Sequence, residues 1–387
     1  MKNQPPASPV VLAGFCAFLN LYVTQPVLPL LSHDFHVRTI ESSLTITAAT
    51  FGVAIAAPIA GRIADRFGRK HVIVGSAAVL AITTLLAASS GTLYWLIVWR
   101  FLQGLATPGV FAVTVAYIND EWPVARAASA IGAYVSGTVV GGFTGRILAG
   151  FIGEYFGWRW IFVIVGALTG AIAAALGVRL PAEKHFSRPL HGVRKNEPIL
   201  DHLRNRRLQA AYVGGFCVLF SLVALFTWVT FHLAAPPFSL KPGLLGSIFC
   251  VYLVGAAVTP AAGGSIDRYG HRAAMLTASA MASAGALICL VPNLWVIIAG
   301  LALSSSGVFI AQAAAASFIG TATDHNRALA VGLYVTFYYA GGSFGATAPG
   351  WLWESYGWPG CVVLIIGVQA VLAAIAWFAW PPLAIKR

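Results

Sequence analysis

Residues 61–70 read GRIADRFGRK and residues 263–272 read GGSIDRYGHR, the same charged island met twice between long apolar runs. The offset of 202 residues lays Gly61, Asp65, Arg66 and Gly68 on Gly263, Asp267, Arg268 and Gly270, with Lys70 on Arg272. Only 9% of the chain is charged, so five such coincidences are not expected by chance. Duplication near half the chain length is the simplest explanation. The residue types suit a tight turn between helices: glycine permits a close, bent backbone, Asp caps a helix start, and arginine holds carboxylates. The plain alternative is a basic turn at a membrane surface with no further role.

Hydrophobic residues make up 58% of the 387, mean hydropathy is +0.80, and only 24 Lys and Arg and 12 Asp and Glu are present. No soluble globular domain of this size tolerates that composition, so the chain reads as a polytopic membrane protein. The formal charge of +12 raises nucleic acid as a partner, and the placement of the basic residues decides against it. Nineteen of them fall in alternate loops and at the termini, three fall on the other side, and Arg100 and Arg146 lie inside apolar runs. This asymmetry predicts that both termini and the central loop face the cytoplasm. The charge then reports topology and contact with anionic headgroups. The five cysteines sit in apolar stretches at unrelated spacings, which indicates neither a disulfide framework nor a metal site. The first apolar run lacks a small-residue cleavage site, so a retained first helix is expected.

A spanning helix needs about 20 mostly apolar residues. Twelve stretches qualify: 9–31, 42–62, 71–90, 93–117, 127–151, 157–180, 209–233, 243–264, 273–291, 294–319, 328–352 and 357–380. The stretch 181–208, rich in His, Arg, Lys and Pro, separates two six-helix halves as a linker. The fifth and eleventh spans align at an offset of 200: Gly132, Tyr134, Val135, Gly141, Gly142, Gly145, Gly150, Glu154, Gly157 and Trp158 recur as Gly332, Tyr334, Val335, Gly341, Gly342, Gly345, Gly350, Glu354, Gly357 and Trp358.

The island and its repeat resemble the loop signature of the major facilitator superfamily of secondary transporters, found between the second and third membrane helices and between the eighth and ninth. The resemblance covers essentially the whole chain. It implies an all-α membrane protein with twelve transmembrane helices in two pseudo-symmetric six-helix bundles, 1–180 and 209–387, that rock around a midplane substrate site. Within the superfamily the chain is most similar to the bacterial drug and sugar efflux branch. Arg100-Phe-Leu-Gln103-Gly104 resembles the Arg-x-x-Gln-Gly motif of drug/proton antiporters, and the overlapping Gly-x-x-x-Gly spacings at 137–145 resemble that branch's glycine-rich fifth helix. The Gly-Pro pair of that helix is missing here.

Several polar groups fall within the spans. Asn20 and Gln25 lie in a proline-broken part of the first run, with Tyr22 between them; hydrocarbon penalises unpaired amides, so they face the bundle interior or a wet cavity. Interhelical hydrogen bonding is the bland reading. Arg100 and Gln103, spaced i, i+3, share a face. An intramembrane arginine marks a functional site by default, against the alternative of a guanidinium tied to backbone carbonyls. Arg146 either joins Arg100 in an electropositive cavity or pairs with Glu154, Asp34 or Glu41. None of the twelve acids falls mid-membrane, which suits an anionic or neutral polar solute better than a cation. Trp228, Tyr334 and Tyr338 are candidate walls, with packing as the ordinary explanation.

By resemblance, Asp65 caps the eleventh helix and Arg66 or Arg69 engages Asp120 or Glu121, latching the halves, with Asp267, Arg268 and Asp324 as the mirror set. The implied function is proton-coupled efflux of a small organic solute; the alternative is uptake or facilitated passage of a small organic anion. The expected partners are the substrate, protons and the bilayer, for a monomer in a bacterial inner membrane. No cofactor or metal is implied. A polytopic sensor or enzyme is disfavoured, because neither an HExxH motif, nor paired intramembrane carboxylates, nor a nucleotide-binding loop is found.

Overall fold

The computed structural model describes residues 6–183, 199–322 and 327–380. Among them every regular element is helical. The first apolar run is broken: α1 spans Ser8–Leu21, a single 3₁₀ turn Gln25–Val27 follows, and α2 spans Leu28–Asp34. Pro26 and Pro29 have no N–H to continue an α-helical ladder, which is why the helix stops here. The rest of the first half is α3 (Thr39–Phe67), α4 (Arg69–Ala87), α5 (Leu93–Glu121), α6 (Val124–Phe156) and α7 (Trp158–Arg179).

After the short α8 (Ile199–Arg204), the second half holds α9 (Arg206–Ala234), α10 (Pro242–Ile248), α11 (Val251–Ile288), α12 (Leu294–Ala322), α13 (Arg327–Thr347) and α14 (Pro349–Ala379). Among the described residues nine helices are long and apolar enough to cross a bilayer. The spans read at 243–264 and 273–291 fall on α10 and the two arms of α11, which bends at Gly270 (φ 82°). The spans at 328–352 and 357–380 meet in α13 and α14, where Gly357 (φ 61°) makes the bend.

Among the described residues four glycines have positive φ: Gly68, Gly157, Gly270 and Gly357. They form two repeat pairs, Gly68 with Gly270 and Gly157 with Gly357. In each, the chain reverses within one residue through a conformation that a Cβ would strain.

The chain divides into two compact units, residues 1–194 with 240–247, and residues 195–239 with 248–387. The sequence reading instead placed 240–247 with the second half. The reason for its place is local: Gly243 donates its N–H to Glu154 Oε2 at 3.0 Å, and Lys241 Nζ lies 3.9 Å from Glu154 Oε1.

In the first unit α1 and α6 approach backbone to backbone. A Cβ on Gly137, Gly141 or Gly145 would stand 2.3, 2.3 and 2.2 Å from the carbonyl oxygens of Val11, Phe15 and Leu19. Glycines one turn apart on α6 thus meet carbonyls one turn apart on α1, the small-residue crossing that lets membrane helices pack without a hydrophobic drive. The second unit repeats it, with Gly341 and Gly345 of α13 against Phe216 and Phe220 of α9 at 2.1 and 2.3 Å. Outward faces are apolar: Phe51, Ile55, Ile59 and Ile63, each one turn apart on α3, are all exposed, as a lipid-facing stripe requires.

Candidate functional site

The break after α1 organises the first unit's polar groups. A helix end leaves its last carbonyls without intrahelical donors and carries partial negative charge. Arg100 of α5, fully buried, supplies the donors. Its Nη1 donates to Asn20 O at 2.9 Å, its Nη2 to Leu21 O, and its Nε to Thr45 O of α3 at 3.1 Å. Nη1 also donates to Gln103 Oε1, and Gln103 Nε2 donates to Thr83 O at 3.3 Å. Arg100 is therefore the cap of α1. The sequence left two readings of it open, a receiver for substrate charge and a guanidinium tied to backbone carbonyls; here it lies on three such carbonyls, because in a low-dielectric interior those dipoles are the acceptors within reach.

Asn20 faces the other way. Its Nδ2 donates to Cys16 O and to Thr169 Oγ1 of α7, both at 2.9 Å, and its Oδ1 accepts from Thr84 Oγ1 of α4 at 2.9 Å. Three helices are pinned by one amide. The sequence reading missed Thr84 and Thr169, because threonine in an apolar helix ordinarily satisfies itself on its own backbone.

Beyond the break, Gln25 accepts from Arg146 Nε at 2.9 Å, Arg146 Nη1 donates to Gly142 O at 2.7 Å, and the guanidinium carbon stands 4.6 Å from the centroid of the Tyr22 ring. The three acids considered as partners of Arg146 engage other groups: Glu41 receives the Arg38 N–H at 2.8 Å, Asp34 lies 3.2 Å from His33, and Glu154 takes Lys241 and Gly243. Tyr22, Gln25, Arg100, Gln103 and Arg146 are all buried, so Asn20 and Gln25 serve two different clusters on either side of the break.

In the second unit Trp228 is buried, with Nε1 donating to Ala346 O at 3.0 Å and its ring against Phe231 and Trp353. Tyr334 and Tyr338 stack at 5.9 Å as their i, i+4 spacing predicts, and the buried Tyr334 hydroxyl has no partner among the described residues. Gln369, at the repeat position of Thr169, is likewise buried with its amide unpartnered among them.

At the charged island, Arg69 forms an ion pair with Asp120 and donates to Ala116 O. Both belong to the first unit, so this pair ties α4 to α5 and is not itself a bond between halves. Arg66 is exposed, its guanidinium 5.5 Å from the Phe67 ring; Asp65 and Glu121 are half-buried and Gly61 is open to its surroundings. Glu183, which the sequence reading passed over, accepts the Lys70 N–H at 2.6 Å. Asp324 and the side chain of Asp267 lie outside the described residues, as does the structure at 184–198 of the expected linker.

The profile of the Major Facilitator Superfamily matches residues 10–240 and again residues 230–386. The MFS-type transporter YybF of Bacillus subtilis (strain 168) is 33% identical over 354 residues, 91% of this chain and 88% of that protein. The inner membrane transport protein YnfM of Escherichia coli (strain K12) is 33% identical over 366 residues, 94% of this chain and 87% of that protein. Among solved structures, a mutant of the nucleoside transporter NupG superposes with a TM-score of 0.75 at 15% identity, over 97% of this chain and 100% of that one, a likeness of fold alone.

Proposed function

The chain belongs to the major facilitator superfamily of membrane transporters, and on that premise we propose that it exports a small organic solute across a bacterial inner membrane by proton-coupled alternating access. The cluster of Tyr22, Gln25 and Arg146 carries the reading. It joins a positive charge, an aromatic face and an amide at a break in a membrane helix, a setting in which transporters of this architecture hold polar substrate groups. Arg100 and Gln103 support it from behind by fixing the end of α1, and the Arg-x-x-Gln-Gly motif to which they belong favours proton exchange. Tyr334, Tyr338 and Trp228 are the second half's contribution to substrate contact.

The turns at Gly68 and Gly270 and the helical glycines Gly61 and Gly263, with Asp65, Arg66, Arg69, Asp120 and Glu121 and the mirror residues Asp267, Arg268 and Asp324, bias the inward–outward equilibrium. The protein works as a monomer with both termini in the cytoplasm.

A second reading, uptake or facilitated passage of a small organic anion, is favoured by one observation: Arg146 is buried beside the break in the first span, with no acid in the middle of any span, while Arg100 keeps the helix end behind it in place. A guanidinium fork receives carboxylate or phosphate in two-point geometry. Flux into proteoliposomes under an imposed pH gradient decides between them. Export should follow the gradient and collapse with a protonophore; flux indifferent to the gradient rejects proton coupling and leaves the anion reading.

A further inference from the structure

Residues 240–247 leave the second unit for the first, and the chain returns to the second at Ile248. Within this excursion α10 is a separate seven-residue helix, cut from α11 by a turn at Phe249 and Cys250. The first half has no such cut: at the island's offset of 202, residues 242–250 correspond to 40–48, which lie inside the unbroken α3. On α6, Arg146, Gly150 and Glu154 follow one another at one-turn spacing, and α10 lies against all three. A Cβ on Gly246 would stand 2.6 Å from Arg146 O, and one on Gly150 would stand 3.2 Å from the Cα atoms of Gly243 and Gly246. Leu245 is the one large side chain among the buried residues of α10, so little side-chain surface holds the two helices together.

Glu154 supplies the polar fastening, at the end of α6 away from the charged island. Its Oε2 accepts the Gly243 N–H at 3.0 Å, and its Oε1 lies 3.9 Å from Lys241 Nζ. Its side chain is 17% exposed, against 38%, 37% and 44% for Asp34, Glu41 and Asp120, so it is the most enclosed of the four. The other ionisable groups at this end are engaged elsewhere. Arg159 of α7 lies over the Trp158 ring and donates to Ser90 O. Asp34 of α2 pairs with His33, whose ring packs near that of His36, and Arg38 pairs with Glu41. Tyr155, next to Glu154 on α6, is exposed. An ionised carboxylate holds an N–H about twice as strongly as a neutral acceptor does. Once protonated, Glu154 keeps the weaker bond and loses its attraction for Lys241.

We infer that Glu154 is a proton-operated catch. While it is ionised it holds α10 on α6; when it takes up a proton from the aqueous phase at this end, α10 swings away about the turn at Phe249 and Cys250 and uncovers α6 at Arg146. The only bond formed is the O–H of the carboxylic acid. Glu154 is thus a positioning residue, which acts through α10 on the cluster of Tyr22, Gln25 and Arg146. Its part in transport rests on the proton-coupled reading, and it meets a need of that reading: with no acid in the middle of any span, the coupled proton must bind at a span end.

The test needs no substrate. Nitroxides on Leu244→Cys of α10 and Tyr155→Cys of α6, both exposed positions, report the separation of the two helices by pulsed dipolar spectroscopy of the full chain in lipid nanodiscs. A Cys250→Ser background removes the exposed native thiol. At about pH 8 one short distance should dominate; at about pH 4.5, where carboxylates ordinarily titrate, the share of a longer one should rise about threefold or more. Glu154→Gln keeps the size and an acceptor but not the charge, and should show the longer distance equally at both pH values. Distances indifferent to pH in the labelled parent overturn the assignment, and this comparison stands by itself if the variant does not fold. A pH response in Glu154→Gln equal to the parent's also overturns it and passes the role to His33 or His36. Failure of proton coupling is seen separately, as flux indifferent to an imposed gradient with these distances unchanged.

Discussion

Arg146 holds its guanidinium 4.6 Å from the ring of Tyr22, so a cation and an aromatic face meet where α1 has just ended. The ring supports the charge without neutralising it, a contact of about 2 kcal/mol when desolvated. Tyr22→Phe keeps that face and should transport within about twofold of the parent, whereas Tyr22→Leu should lose about tenfold or more. Flux in proteoliposomes checks the pair; equal losses in both variants would assign the role to the hydroxyl instead.

The two core arginines should respond differently to removal. Arg100→Ala leaves the carbonyls of Asn20, Leu21 and Thr45 without their donor and should destabilise the protein by about 3 kcal/mol. Arg146→Gln gives up the Tyr22 contact and should lower stability by about 1–2 kcal/mol, less than Arg100→Ala, while transport falls below about a tenth. A normal Tm for Arg100→Ala would contradict the capping role, and parental flux in Arg146→Gln would remove the carrying observation for the proposed site.

Hydrogen bonds between membrane helices average about 0.6 kcal/mol and reach about 1.7. Thr84→Val deletes the donor to Asn20 Oδ1 but leaves Asn20's bonds to Cys16 O and Thr169 Oγ1. It should lower stability by about 1 kcal/mol and leave transport rates near normal. A large transport defect at unchanged stability would move Asn20 from scaffold to substrate site.

Gly141→Ala drives a methyl to 2.3 Å from the Phe15 carbonyl oxygen, and neither backbone can step aside without parting α1 from α6. Gly132→Ala, on the same helix, meets nothing within 4 Å. The first should fail to yield a monodisperse protein or lose about 2 kcal/mol or more, while the second should be neutral or slightly stabilising. Size-exclusion profiles and unfolding curves of both variants settle the contrast.

Glu183→Ala removes the carboxylate at the start of α4 and should cost about 1 kcal/mol. Part of this is electrostatic, so the gap between parent and variant should shrink as salt rises from about 0.05 to about 0.5 M. A gap independent of salt would leave only a hydrogen bond.

What was legible from the sequence was whatever leaves a residue-type trace. The repeated glycines at 68 and 270 announced tight turns because other residues strain at positive φ, whereas Gly157 and Gly357 were legible only as a repeat pair, and the Gly137–Gly141–Gly145 spacing announced a close crossing. The break in α1 was visible in Pro26 and Pro29. The partners of Arg100 were not, because backbone carbonyls look alike at every position, so only coordinates separate a capped arginine from a substrate receiver. Thr84 and Thr169 were hidden among threonines that bond their own helices. Glu183 was overlooked because a single acid after a span has no periodicity to mark it. The place of residues 240–247 depends on Glu154, far away in sequence.

Both core arginines belong to the first half; the repeat positions of Arg146 and Arg100 are Ala346 and the uncharged pair Gly300 and Leu301. A full elementary charge crossing a field of about 100 mV exchanges about 2.3 kcal/mol with it. On the anion reading, a step that displaces the first bundle along the field moves these charges when the protein is empty, and a cargo of opposite charge bound beside Arg146 moves with them and offsets the current. Membrane voltage should then set the pace of the unloaded return and leave the loaded passage almost untouched.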